Sequence, residues 1–186
     1  MIALRKWAGA LLALVVVAAA TPAFAQPAKI FSLAFSSGAL NAGSNPDLRV
    51  RIKNESPNGN SSINSIEIVL PAGYSVGGTV AFDPAYPGTI DTSSAGRVRI
   101  SNMAPVKRGD AVFLRLPVNV AATAACSASE WNASVAWTGS SLSGDVFAKV
   151  APTGAGTYAA TTSVLQGLAL AITSSPTSVV KDAPFG

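Results

Sequence analysis

Between Ile63 and Tyr74 the chain reads INSIEIVLPAGY, and this stretch restricts the fold more than any other. Ile66, Ile68 and Leu70 alternate with Ser65, Glu67 and Val69, the two-residue period of a strand with one buried face. Pro71 and Gly73 end the run, because Pro has no N–H for a sheet ladder and Gly accepts the backbone of a tight turn. The same alternation, punctuated by Gly, Pro, Asn and Ser, recurs to the C-terminus.

Phe31, Leu33 and Phe35 alternate with Ser32 and Ala34, and Leu48, Val50 and Ile52 with Arg49, Arg51 and Lys53. Asn54 to Ser62 is a polar loop containing the turn dipeptide Asn58–Gly59, so the runs flanking it are expected to be antiparallel neighbours. Tyr74 to Phe82 reads as a strand broken at Gly77–Gly78. Val98 and Ile100 alternate with Arg97 and Arg99. Val112, Leu114, Leu116 and Val118 mark the longest strand, in which Pro117 argues for an edge or a bulge. Trp131, Ala133, Val135 and Trp137 share one face of another strand, and Asp145 to Val150 pairs back on it after a turn at Gly139 to Ser143. Leu168, Leu170 and Ile172 close the domain. Eight or nine short strands at this spacing predict an all-β, antiparallel β-sandwich with Greek-key connections, a barrel being the alternative. Ile66, Ile68, Leu70, Leu114, Leu116 and Trp137 are expected to face its core.

Residues 1–25 read as a secretory signal peptide. Arg5 and Lys6 precede an apolar run from Ala8 to Ala20, and Ala23–Phe24–Ala25 supplies the small-x-small cleavage site. The run is short for a membrane span, so none is expected after cleavage. Residues 26–173 form the domain. Residues 174–186 read as a linker and the start of a further β-module. The net charge of +4 includes the two leader cations, so the working chain is less basic than the whole. Its localisation is expected to be periplasmic or extracellular, at the cell surface.

Together, LRVRIKN (48–54), INSIEIVLPAGY (63–74) and SSPTSVVKDAPF (174–185) resemble the Ig-like β-sandwich domains of bacterial secreted and surface proteins. The resemblance covers roughly residues 28–173 and lacks the paired Cys and Trp of antibody domains. It implies a structural, adhesive or glycan-binding role, and carries over no fixed binding residues.

The chain contains no His, which removes Ser-His and Cys-His nucleophilic machinery and the commonest zinc ligand. Its single Cys, Cys126, builds neither an internal disulfide nor a thiolate cluster, and its Ala-rich setting suggests a small buried or half-buried side chain. Asp83, Asp91 and Asp145 lie in loops but without the spacing of a calcium loop. Neither catalytic residues nor a metal or other cofactor are expected, and no nucleic-acid partner. Two binding surfaces are candidates. Arg49, Arg51 and Lys53 point one way from one strand, and Arg97 and Arg99 from another. If those strands are neighbours, five cations share one solvent face, which either keeps the face soluble and deters edge pairing or meets an anionic surface such as lipopolysaccharide phosphate or an acidic glycan. The alternative is a carbohydrate-binding module that stacks sugars on Tyr74, Tyr86, Trp131 and Trp137. A cell-surface glycan or another protein module is the expected partner. Of three Asn-x-Ser sequons, at Asn54, Asn60 and Asn132, each reads more simply as a loop or strand-exterior residue.

Overall fold

The computed structural model describes residues 28–57, 59, 61–124, 126, 128–153 and 158–166. The leader, Asn58, Asn60, the run at Leu168 to Ile172 and residues 174–186 lie outside the described residues.

Among the described residues there are thirteen strands: β1 (Ile30–Phe35), β2 (Ala39–Asn41), β3 (Asp47–Asn54), β4 (Ser65–Val69), β5 (Tyr74–Val76), β6 (Ala81–Phe82), β7 (Thr89–Asp91), β8 (Arg97–Ser101), β9 (Ala111–Val120), β10 (Ala128–Ser129), β11 (Val135–Trp137), β12 (Val146–Val150) and β13 (Thr162–Leu165). Among the described residues there is no helix, hence none long and apolar enough to cross a membrane. The count exceeds the expected eight or nine because β2, β5, β6, β7 and β10 are two or three residues long. Such elements are too short to display a period. The break at Gly77–Gly78 separates β5 from β6 as expected. A Cβ on Gly77 would meet the side-chain amide of Asn119, which would have to turn aside, and would lie 3.2 Å from Asn119 N, a tight approach that Gly relieves.

Ten strands form one sheet in the order β5, β9, β3, β1, β12, β11, β4, β8, β7, with β6 also on β9; β10, β13 and β2 form a second. The long sheet curls until its halves face each other, so Leu33, Val50, Ile52, Leu114 and Leu116 from one half share a buried cluster with Ile66, Ile68, Val98 and Ile100 from the other. This is the sandwich that the alternation predicts. Most pairings are antiparallel, but β1 runs parallel to β12, with Phe31 opposite Lys149, and β13 parallel to β2. The β1–β12 pair joins the two halves.

Three expectations about position are corrected. The β3 and β4 runs are not neighbours: β3 lies between β1 and β9, and β4 between β11 and β8. Asn54 explains why, since its buried amide donates to Ser61 O at 2.8 Å and Val106 O at 3.0 Å and sends the chain across to the other half instead of into a hairpin. Pro117 lies neither on an edge strand nor in a bulge. It pairs with Asp47 of β3 and falls between the pairings of β6, at Arg115, and β5, from Val118, so its lost N–H coincides with a gap. The expected strand from Trp131 to Trp137 is a turn closed by Ser134 N donating to Trp131 O, followed by three strand residues. The turn shifts the phase: Ala136 faces the core, while Trp137, expected inside, points outward and is half-buried.

Trp131 fills the core from that turn. It is 1% exposed, stacks on Phe35 at 4.5 Å between centroids and meets Tyr74 edge-on at 5.9 Å. Its Nε1 donates to Thr162 Oγ1 at 3.2 Å, and Tyr74 Oη shares that hydroxyl at 3.1 Å. One Thr thus satisfies both polar tips of a buried aromatic cluster.

Candidate functional site

The inward alternation of β3 and β9 forces their other residues onto one outer face. Register sets Arg49 opposite Arg115 and Arg51 opposite Phe113. The Arg49 guanidinium lies 4.4 Å from the centre of the Phe113 ring, and that of Arg51 lies 5.5 Å from Tyr158. The two rings are 5.9 Å apart and tilted by 36°. Each cation–ring contact contributes about 0.5–1 kcal/mol at such exposure, enough to hold the guanidinium in place.

Carboxylates interleave with these cations. Arg49 Nη2 donates to Asp83 O at 3.0 Å, with the Asp83 carboxylate 3.7 Å from Nε, and Arg115 pairs with Asp47. Lys53 Nζ donates to Glu55 Oε2 at 2.8 Å and to Thr153 Oγ1 at 3.1 Å. Arg51 differs. Its Nη2 donates to Thr153 O at 3.1 Å, and it pairs with no carboxylate among the described residues. The Nε atoms of both Arg49 and Arg51 are buried without a hydrogen-bond partner among the described residues.

Glu55 fastens this arrangement. Its Oε1 accepts from Ser32 Oγ at 2.9 Å and from Thr153 N at 3.3 Å, and its Oε2 accepts from Lys53 and from Thr153 Oγ1, both at 2.8 Å. Burial, with 7% of the side chain exposed, pushes the pKa up, but Lys53 and these donors outweigh it and hold Glu55 at about 2. Thr153 is thereby held beside Arg51 and Lys53 of β3, and Ser32, buried although alternation turns it away from the core, spends its hydroxyl on Glu55.

Arg97 and Arg99 do not join this face. Four strands separate β8 from β3 in the sheet, which puts the two cationic groups on opposite halves. Both arginines hold Glu67, Arg99 Nε at 2.6 Å from Oε2, and Glu67 is 13% exposed. Of the four candidate stacking aromatics, Tyr74 and Trp131 are core residues and present no ring for a sugar to stack on. Tyr86 is half-buried against Phe82, with its hydroxyl donating to Ala104 O at 3.0 Å, and Trp137 is half-buried on β11.

Phe113, Tyr158 and Thr153 escape the sequence reading, as does the fastening role of Glu55. Phe113 alone carries a signal, being an aromatic at an outward position of the Val112–Leu114–Leu116 alternation. The others reach the face through loops, whose path alternation does not encode. Asp91 lies at the end of β7 rather than in a loop, and the three aspartates have separate partners: Asp83 with Arg49, Asp91 with Ser93 N and Asp145 with Lys29. Among the described residues, no three acidic, Cys or His side chains converge on a metal-sized site. Cys126 is exposed rather than buried. Asn54 is enclosed by its own hydrogen bonds, whereas Asn132 is exposed in the turn and donates to Glu130.

No protein-family model matches the chain, and no curated protein matches it. Among solved structures the chain is similar to the cohesin module of a family 33 glycoside hydrolase from Clostridium perfringens, with a TM-score of 0.46 and 9% identity over 75% of this chain and 99% of that one. It is also similar to the sixth cohesin of scaffoldin B from Acetivibrio cellulolyticus, solved in complex with a Cel5 dockerin mutant, with a TM-score of 0.38 and 18% identity over 74% of this chain and 99% of that one.

Proposed function

We propose that this chain is an exported, non-catalytic β-sandwich module with a structural or adhesive role at the bacterial cell surface or in the periplasm. The outer face of β1, β3 and β9 carries the reading. It is a fastened array of Arg and aromatic side chains, the types enriched where proteins meet partners. Two recesses among its described residues, about 210 Å³ beside Arg49 and Arg115 and about 150 Å³ beside Tyr86 and Phe113, fall below the roughly 300–1,000 Å³ of small-molecule sites. A broad, shallow contact suits them better. Glu55, the most enclosed carboxylate of the face, is held far below the range of a general acid. Export is supported by the leader sequence. Fractionating native cells and weighing the intact protein tests the reading: an envelope or extracellular species lacking residues 1–25 is expected. A full-length species confined to the cytoplasm would contradict it. The alternative, glycan binding, draws support from the partly exposed rings of Phe113 and Tyr158 beside Arg51.

A further inference from the structure

We infer that Arg51 receives a carboxylate, and that the ligand of this face is an acidic polysaccharide of the polyuronate type, with one carboxylate on each sugar. The inference rests on reading the face of β1, β3 and β9 as the contact surface. Charge complementarity comes first. Among the described residues the face carries four cations, Arg49, Arg51, Lys53 and Arg115, against three carboxylates, Asp47, Asp83 and Glu55. Asp83, Glu55 and Asp47 are each matched to one cation, which leaves the charge of Arg51 over. Its Nε is buried and Nη2 donates to Thr153 O, so the Nη1–Nη2 side of its planar fork is the one that can receive a carboxylate.

Geometry narrows the ligand further. Tyr158 packs against Arg51 and Phe113 packs against Tyr158, and both rings are partly exposed. A sugar whose carboxylate meets the guanidinium has an aromatic edge directly beside it for its C–H surface. Preorganisation favours binding: Glu55 holds Thr153, and Thr153 O holds Arg51, so little side-chain freedom is lost when a ligand arrives. The three native carboxylates act as a filter. They repel a polyanion as dense as polyphosphate, with its charges one per phosphate, more than a chain whose charges are spaced one per sugar, and that repulsion supplies selectivity.

Affinity electrophoresis of the full chain tests this, with polygalacturonate, neutral dextran or polyphosphate cast in the gel. Polygalacturonate is expected to retard the wild type, dextran to leave it unretarded and polyphosphate to retard it less. Arg51→Gln should weaken polygalacturonate binding about ten- to a hundredfold, the loss typical of one charge-assisted contact. Arg51→Lys should keep part of the binding, and Arg97→Gln, on the opposite half, all of it. Raising salt from low to physiological strength should weaken the wild-type interaction. If Arg51→Gln melts well below the wild type, Arg51→Lys against Arg97→Gln decides. The inference is overturned by wild-type migration unchanged by polygalacturonate, by equal retardation in dextran, by stronger retardation in polyphosphate, or by an Arg51→Gln protein that folds and is retarded like the wild type. A negative gel from a normally processed and exported protein removes the ligand assignment and leaves the export and adhesion reading standing.

Discussion

Glu55 is the side chain whose removal the fold should feel at a distance, since it ties β1, the end of β3 and Thr153 together. Its pKa falls from an ordinary 4.5 to about 2 on folding. A depressed carboxylate stabilises the fold fully above its unfolded value, and the contribution is lost as pH falls from about 4.5 towards 2. At about 1.4 kcal/mol per unit, the amount is on the order of 3 kcal/mol. Urea unfolding of the wild type should therefore weaken across that window, and Glu55→Gln should be less stable at neutral pH and flatter with acid. An unchanged pH profile in the variant would refute the clamp. Thr162→Val makes a second test: it leaves Trp131 Nε1 and Tyr74 Oη without their shared partner, and should cost about 1–3 kcal/mol in the same assay. Neither residue stands out in the sequence. Glu55 sits in a polar loop and Thr162 in a run of Ser, Thr and Ala, and their value comes from partners 98 and 88 positions away.

Strand elements were legible where a run was long enough to show two or three periods. β3, β4, β8 and β9 bury the residues that alternation assigns inward, Leu114 and Ile68 among them. β11 was not legible, because its three residues follow a turn whose single reset of phase inverts every later side chain. The inversion is measurable. Ala136, 0% exposed, has no room for a larger side chain, and Ala136→Leu should cost about 1–3 kcal/mol by overpacking. Trp137→Ala should cost less than Leu114→Ala, for which about 2–5 kcal/mol is expected from a buried leucine. Thermal or urea unfolding of the three variants ranks them, and a Trp137→Ala loss exceeding that of Leu114→Ala would restore Trp137 to the core. Pairing order was the least legible property, since β1 beside β12 and Asn54 in place of a hairpin turn depend on contacts far apart in sequence.

At the scale of the molecule, curling of one long sheet decides which charges act together. Alternation correctly turns Arg49, Arg51, Lys53, Arg97 and Arg99 outward, but it is silent on which half of the sheet each strand joins. The sheet order separates them into two faces with different fillings: guanidinium and aromatic layers over β3 and β9, and a single Glu67 held by two arginines over β4 and β8. The proposed contact belongs to the first face. The direct measurement is retention of the purified full chain on an isolated native envelope preparation, comparing wild type with Arg49→Glu/Arg51→Glu and with Arg97→Glu/Arg99→Glu, each checked for its melting temperature. The first pair should abolish most of the retention while the second leaves it close to wild type. Equal retention of both variants, or a greater loss from the β8 pair, would contradict the assignment of the contact to the face of β1, β3 and β9.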